Sequence, residues 1–583
     1  MVTTRATWIR GSGYAMGALA LLLCVQVGRL QWGEWASEDN TSLEEQTRSP
    51  RRVAGRRGDI LDRRGVVMAA SRDARDAYMD PVFIRSQFSD LQSVSLKIAE
   101  TLMLDAETVR EQLDRQSRYV VLKRDVSPEE VSALRRSPIK GVDLARTSAR
   151  VYPENRAASA FLGFLEKHAD NGLEGLERQH NAGLRGADGQ AFGRVDIRRR
   201  LVEPAQLTRE PHEGADLRLT IDVGIQRIAH KVLEQGMKDW SPKYGLILVM
   251  DPRDGGILAM AQSPTYSPDA ITEEDMNRMM NLHVSACFEP GSIMKPIAWV
   301  GAYEQKALNP DQIIDCEGGS WRLPGLSRVL HDHHGYGKLT ASEVLVKSSN
   351  IGMGKIAHQW IKGSKQGFPG AVLDGWMRRF GFGQRSGIDI PGEIPGLLAP
   401  IKQWGSSSWA SIPMGHEVAV TPVQYVRALS VFANGGFLVQ PHIEQGQGGE
   451  PRRIISEEAA TRVTAILHDV VERGTAKQAK LEDIAVCGKT GTAQKLMVNG
   501  NNPRGKKIYS HESYCSSFAA FAPQINSRIT VLVVMDEPRK AGVSRPFGGV
   551  VCAPMAAQVI RETLDYLELC PEAPGLLATG GLR

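Results

Sequence analysis

At 583 residues, 42% hydrophobic and 23% charged, the chain is long enough for more than one packed domain and too apolar to be a disordered or fibrous protein. Its net charge of +5 is small for this length, and no helix-turn-helix, zinc-finger or base-stacking motif accompanies it, which sets nucleic acid aside as a partner. The seven cysteines, Cys24, Cys287, Cys316, Cys487, Cys515, Cys552 and Cys570, follow neither zinc-ligand spacing nor the pattern of a small disulfide scaffold, and most read as buried thiols. Cys487, Cys515 and Cys552 fall in strand-like stretches that could be neighbours, which leaves one disulfide open without predicting it.

Near the N-terminus, Arg10 and Arg29 bracket an uncharged run centred on Ala-Leu-Ala-Leu-Leu-Leu-Cys-Val. As a helix it would be about 27 Å long, against a bilayer core of about 30 Å. Trp32 and Trp35 follow where an interfacial aromatic pair would sit. No small-x-small cleavage site follows the run, so an uncleaved anchor is expected rather than a signal peptide. Arg5 and Arg10 favour a cytoplasmic N-terminus, while Arg29 on the far side pulls against that orientation. The expected division is a cytoplasmic tail at 1–10 and a transmembrane anchor helix at 11–30, with everything beyond it on one side of the membrane.

Residues 31–50 are polar, first acidic and then basic. From Arg57 the chain reads Arg-Gly-Asp-Ile-Leu-Asp-Arg-Arg-Gly, where two glycines and interleaved charges suggest strands joined by a tight turn. The Arg-Gly-Asp could be an adhesion tripeptide, and the cluster Arg51, Arg52, Arg56, Arg57, Arg63 and Arg64 could meet anionic headgroups. Pairing with acidic residues of the same fold is the plainer expectation. Helices are expected at Leu91–Leu104 and Pro128–Arg136. The module 31–210 reads as α+β, without a catalytic constellation of its own.

The texture changes near residue 211. Leu217-Arg-Leu-Thr-Ile-Asp222 alternates like a strand, and Gln226–Met237 has helical spacing. Tyr244–Asp251 and Gly256–Gln262 read as strands joined by a hairpin at Pro252-Arg-Asp-Gly255. At the far end Ile484–Val486 leads into Lys489, Tyr514–Phe521 and Ile529–Met535 are apolar strand-like runs, and Ala556–Leu567 is a helix. A β–α–β–β opening and a β–β–β–α close predict one antiparallel sheet assembled from both ends of 211–583, with a largely helical middle packed on it.

Inside that middle lies Glu289-Pro-Gly-Ser-Ile-Met-Lys-Pro296. A helix starting at the Glu-Pro-Gly turn puts Ser292 and Lys295 on one face, three residues apart. A serine hydroxyl is unreactive at neutral pH, and a neighbouring lysine can serve as its general base. The N–H groups at a helix start could also stabilise an oxyanion. Alone the pattern recurs by chance: Ser137-Pro-Ile-Lys140 fits it too. Two companions follow in order, Ser348-Ser349-Asn350 and Lys489-Thr490-Gly491, and this ordered triple marks penicillin-binding proteins and class A β-lactamases. Upstream of Ser348, His331, Asp332, His333 and His334 resemble metal ligands in isolation. No further ligand pair stands at a suitable spacing, so a polar loop near the mouth of the site is expected.

With these motifs the chain resembles the class B penicillin-binding proteins, bitopic peptidoglycan transpeptidases, over nearly its whole length. Arg57-Gly58, Asp62-Arg63 and Gly65, Gly172-Leu-Glu-Gly-Leu-Glu177, Leu219-Thr-Ile-Asp222, Thr421-Pro-Val-Gln424, Ala433-Asn-Gly-Gly436, Gly474-Thr475, Gly488-Lys-Thr-Gly-Thr492 and Phe547-Gly-Gly549 carry the resemblance. It implies a multidomain α+β architecture: an N-terminal transmembrane helix, an elongated pedestal of the dimerisation type at 31–210, and a serine β-lactamase-like transpeptidase domain at 211–583.

It further implies that Ser292 attacks the penultimate D-Ala of a stem peptide while Lys295 takes its proton, with burial and the nearby cation Lys489 both lowering the Lys295 pKa. Ser348 would relay a proton to the leaving amine, and Asn350 would hold Lys295 and the substrate amide. Lys489, Thr490 and Thr492 would bind the terminal carboxylate, Gly491 would let the strand approach the substrate, and the N–H groups of Ser292 and Thr492 would form the oxyanion hole. The implied partners are D-Ala-D-Ala donor and amine acceptor peptides, β-lactams, the inner membrane and, by analogy, a multi-span glycosyltransferase and other division proteins. No cofactor or metal is implied.

Lys347-Ser-Ser-Asn-Ile-Gly-Met-Gly-Lys355 resembles the cell-division type, and the elongation type is the alternative. A membrane-tethered β-lactamase or β-lactam sensor shares two of the motifs but needs no pedestal. A non-catalytic division scaffold would not need intact ones.

Overall fold

The computed structural model describes residues 16–28, 48–53, 55–166, 170–194, 206–364, 370–498 and 507–570. Residues 16–28 form an exposed helix, and no described helix is long and apolar enough to cross a membrane. The expected tail at 1–10, the remaining anchor positions, Trp32, Trp35 and most of the linker lie outside the described residues.

The spine of the N-terminal module is the strand Val67–Met79. It pairs antiparallel with Val142–Val151, from Ala70 opposite Val151 to Met79 opposite Val142, and at its end with Val120–Lys123. Helices Leu91–Leu102 and Ala106–Leu113 each start on an aspartate, Asp90 and Asp105, whose carboxylate accepts a first-turn N–H. Pro128–Arg136 starts on a Ser127–Glu130 capping box. Ile98, Leu102, Val109 and Leu113 are buried with Val120 and Leu122 of the sheet. The first helix stops two residues short of the expected Leu104, where Met103 turns left-handed at φ 49°.

The Arg-Gly-Asp stretch is internal. Arg57 is 2% exposed, and its guanidinium lies 2.7 Å from Glu177, whose other carboxylate oxygen accepts from Arg150 Nε at 2.7 Å. Burying such charges is sustainable only when they are paired, as they are here. An arginine held this way cannot be offered to a receptor. Arg64 likewise pairs with Asp222 at 2.8 Å, and Asp62 accepts from Val223 N at 3.0 Å, which ties this segment to the next domain.

The expectation for Leu217–Asp222 needs correction. Only Leu217–Arg218 is strand, and it pairs parallel with Ile60–Leu61 of the N-terminal module rather than opening the catalytic sheet. Leu219 and Ile221 are fully buried in a core shared with Ile60, Met68 and Ala69. The alternation therefore reports burial at the seam between the two parts. Asp222 then caps the helix Val223–Trp240 through Gly224 N and Ile225 N.

The catalytic sheet has five strands in the order Ile257–Ser263, Tyr244–Met250, Ile529–Asp536, Lys507–Ala522, Cys487–Val498, every pair antiparallel. Both faces are covered, which is why its central strands read as continuous apolar runs. Ile247, Val249, Val531 and Val533 face one side with Val551, Val559 and Ile560 of the closing helix Gly548–Leu569. Leu246, Leu248, Leu532 and Val534 face the other with Ile297, Trp299 and Val423 of the helical middle. The cysteines Cys487, Cys515 and Cys552 are buried free thiols, not a disulfide. The edge strand Cys487–Val498 is the one that meets the site.

Candidate active site

Ser292 sits in a 3-10 turn, Gly291–Met294, that runs directly into the helix Lys295–Glu304. Two features make the turn. Gly291 adopts φ +56°, which favours glycine, and Pro296 fits the first turn of a helix, where no backbone donor is needed. The turn is wedged in place. A Cβ on Gly415 would come within 2.1 Å of Gly291 O, one on Gly291 would lie 3.2 Å from Thr492 O, and the Tyr425 hydroxyl donates to Ile293 O at 2.6 Å.

Lys295 is wholly buried. Its Nζ donates to Ser348 O at 2.6 Å and Asn350 Oδ1 at 2.8 Å, and lies 3.3 Å from Ser348 Oγ. Among the described residues, Ser292 Oγ is not one of its hydrogen-bond partners; catalytic contacts of this kind often tighten only with substrate. Burial drags the Lys295 ammonium down to about 7, while the Asp332 carboxylate pulls the other way. Lys489 is also wholly buried, donating to Ser348 Oγ at 2.9 Å and Thr490 O at 3.1 Å. Its pKa is pushed well below the usual lysine value by burial and then by the charge of Lys295. Of the two causes expected for a lowered Lys295 pKa, burial is the one that acts on it, and the charge of Lys295 acts on Lys489.

Ser348 bridges the helices Ala341–Val346 and Asn350–Gly363 at φ +57°, a strained conformation for a serine. Asp332 anchors the three residues that follow Ser348. One carboxylate oxygen accepts from Ile351 N at 3.1 Å and from Asn350 N, and the other from Ser349 Oγ at 2.6 Å. His331 O accepts from Asn350 Nδ2 at 2.9 Å, leaving Asn350 Oδ1 turned to Lys295. Asp332 is therefore the organiser of the second motif. Its sequence signal was the His-Asp-His-His run, read only as a polar loop. His333 of that run stacks edge-on against Phe547, with ring centroids 5.4 Å apart.

On the edge strand, Thr490 Oγ1 lies 2.8 Å from Thr475 Oγ1, and Thr492 Oγ1 accepts from Gly548 N at 3.1 Å. Thr475 and Gly548 thus fix the two threonines. Gly491 also has a role within the chain itself. A Cβ there would meet Ser517 Oγ at 2.3 Å and Pro290 O at 2.7 Å, so the missing side chain lets the strand close on the serine turn of its own chain. The second Ser-x-x-Lys stays apart: Ser137 ends a helix of the N-terminal module, and both it and Lys140 are exposed.

A nucleophile-bearing turn, two buried amines sharing one hydroxyl, and a strand edge with two threonines make an acyl-transfer site. Comparison with known proteins agrees. Residues 245–561 match the penicillin-binding protein transpeptidase domain, and residues 52–219 match the penicillin-binding protein dimerisation domain. Stage V sporulation protein D of Bacillus subtilis is 30% identical over 88% of this chain and 79% of its own. Peptidoglycan D,D-transpeptidase FtsI of Escherichia coli K12 is 26% identical over 97% and 92%. The crystal structure of penicillin-binding protein 3 of Mycobacterium tuberculosis complexed with ampicillin, 25% identical, superposes with a TM-score of 0.65 over 90% of this chain and 98% of that one.

Proposed function

The chain belongs to the class B penicillin-binding proteins and is a serine-type peptidoglycan D,D-transpeptidase, and from that premise we propose that Ser292 is the residue acylated by the donor stem peptide. One observation carries this reading: Lys295 and Lys489, both 0% exposed, converge on the Ser348 hydroxyl beside the turn that presents Ser292.

When Lys295 is neutral, its two hydrogens are taken by Ser348 O and Asn350 Oδ1, groups that only accept. Its lone pair is then left for a hydroxyl proton. Ser292 attacks the carbonyl of the penultimate D-Ala, Lys295 takes the proton, and the backbone N–H groups of Ser292 and Thr492 hold the oxyanion. Ser348, between the two amines, passes a proton to the departing D-Ala amine. Lys489, Thr490 and Thr492 hold the terminal carboxylate, and the amine of a second stem peptide takes the acyl group from Ser292. β-Lactams acylate Ser292 as mimics of D-Ala-D-Ala. Incubating the purified protein and Ser292→Ala with a fluorescent penicillin for hours tests this: stable label on the wild type alone is expected. Rapid loss of label from the wild type would indicate a β-lactamase, and no label on folded wild type a scaffold.

The finer role is septal synthesis at division, supported by the form of the 347–355 stretch and by the likeness to the E. coli FtsI protein. Depletion should give filaments; rounded cells would point to elongation instead. We place the chain in the inner membrane with residues 11–30 as a single span, the N-terminus cytoplasmic and the catalytic domain outside, beside a multi-span glycosyltransferase contacted by anchor and pedestal. Deleting residues 1–30 should release the protein from membranes, and retention of the shortened chain would refute the anchor.

A further inference from the structure

The turn that carries Ser292 is held by a cluster that the three motifs do not contain. Its hub is the Glu289 carboxylate, three residues before Ser292. Oε2 accepts from His416 Nδ1 at 3.1 Å, and Oε1 accepts from Glu417 N at 3.2 Å and from the Tyr509 hydroxyl at 3.4 Å. A carboxylate can only accept, so the imidazole proton sits on Nδ1. The rings of His416 and Tyr509 meet edge to face at 5.2 Å, and the His416 side chain is 25% exposed against 18% for Glu289. The preceding residue, Gly415, presses on the turn directly: its carbonyl accepts from Gly291 N at 3.1 Å.

Three consecutive residues, 415 to 417, therefore grip the nucleophile turn through main chain and side chain together. The grip is strained. Glu417 sits at φ +60°, a costly conformation for a glutamate, and is kept there by Ser408 Oγ, which donates to its carboxylate, and by Arg328 at 3.8 Å. Arg328 also donates to Ser407 and Ser411 at 2.8 and 2.7 Å, and it adjoins the strand Val329–His331 that leads into Asp332. Strain in residues that grip the Ser292 turn points to positioning of that nucleophile.

We propose that His416 is a positioning residue for Ser292, acting through Glu289 to fix the Gly291–Ser292 turn against the strand that supplies Thr492. The proposal rests on Ser292 being the acylated residue. The His416 hydrogen bond holds the turn together with the contacts at Gly291 N and Ile293 O and the Glu417 N and Tyr509 bonds to Glu289, so its loss loosens the hydroxyl and the Ser292 N–H from the attacking geometry without touching ligand.

The test is the time course of acylation by a fluorescent penicillin at several concentrations, for wild type, His416→Ala and His416→Asn, with thermal melts of each. Asparagine places an N–H donor where His416 has Nδ1. The alanine variant should lose about tenfold in the acylation rate constant, with the preceding dissociation constant within about twofold and the melting temperature nearly unchanged. The asparagine variant should recover most of that rate. A wild-type rate constant in His416→Ala, or a loss that His416→Asn does not recover, overturns the proposal. Should His416→Ala not fold, His416→Phe, which keeps a ring against Tyr509 but has no Nδ1 donor, is expected to show the same loss of rate constant, and wild-type kinetics there overturn it too. Failure of the wild type itself to label would instead strike at the Ser292 reading.

Discussion

Lys295 and Lys489, far apart in the chain, address the same hydroxyl: Ser348 Oγ lies 3.3 Å from the first amine and 2.9 Å from the second. Two buried ammonium groups cannot both keep a proton comfortably at such range, so one must be neutral near physiological pH for the site to hold together.

The acylation rate should follow that neutral form. With the Lys295 pKa drawn down to about 7, its unprotonated fraction grows as pH rises through that value. The second-order rate constant for penicillin acylation should rise about tenfold per pH unit below pH 6 and level off above pH 8. Lys295→Arg, which keeps the charge at every pH, should lower the plateau by about a thousandfold or more. A flat profile between pH 5 and 8 in the wild type would exclude Lys295 as the base.

Asp332 raises the Lys295 pKa while also capping the second-motif helix. Asp332→Asn should therefore shift the rising limb of the acylation profile toward lower pH. It should also cost about 1 kcal/mol of stability, since the amide nitrogen replaces the oxygen that accepts from Ser349 Oγ and the charge that favours the helix start is lost. The profile and a denaturant titration check the two effects separately.

Gly491→Ala probes the contact between strand and serine turn. The added methyl would overlap Pro290 O and Ser517 Oγ, and the carbonyl cannot rotate out of the way. The expected result is a folded domain with acylation reduced about a hundredfold. Unchanged labelling would mean that the turn can retreat without cost to the nucleophile.

His283 predicts acid sensitivity. Its imidazole is fully buried, and burial pushes its pKa from 6.5 to about 3, outweighing a backbone contact at Ala261 that favours the charged form. The folded state refuses a proton that the unfolded chain accepts, so the stabilisation is intact above pH 6.5 and lost as pH falls from there toward 3. At pH 5 the loss should be about 2 kcal/mol. Thermal melts between pH 8 and 5 should show the decline, and His283→Phe should flatten it.

Much of the site was legible in advance because its chemistry is carried by short motifs. Ser292, Lys295, Ser348, Asn350, Lys489, Thr490 and Thr492 could be named from the ordered motifs and the family resemblance they carry, and the structure brings the motifs together. Asp332 was visible but misfiled, because nothing local says that a carboxylate sixteen or more residues upstream will cap a distant helix. Gly415, His416, Tyr425 and Tyr509 gave no motif at all. Their contribution is the support they lend to the Ser292 turn.

The amino-acid sequence by itself determined the elements and the reacting groups. Apolar periodicity, caps and turn residues act within a few neighbours, so the helix Pro128–Arg136, the hairpin around Pro252-Arg-Asp-Gly255 and the closing strands and helix could be read locally. Only the tertiary structure decided that Leu217–Arg218 pairs with the N-terminal module, that Gly491 makes room for the chain's own serine turn, and that Lys295 and Lys489 are buried against one hydroxyl. Burial and partner geometry are properties of the whole packed assembly: they depend on which distant segments exclude water from a group, and no window of sequence contains that information.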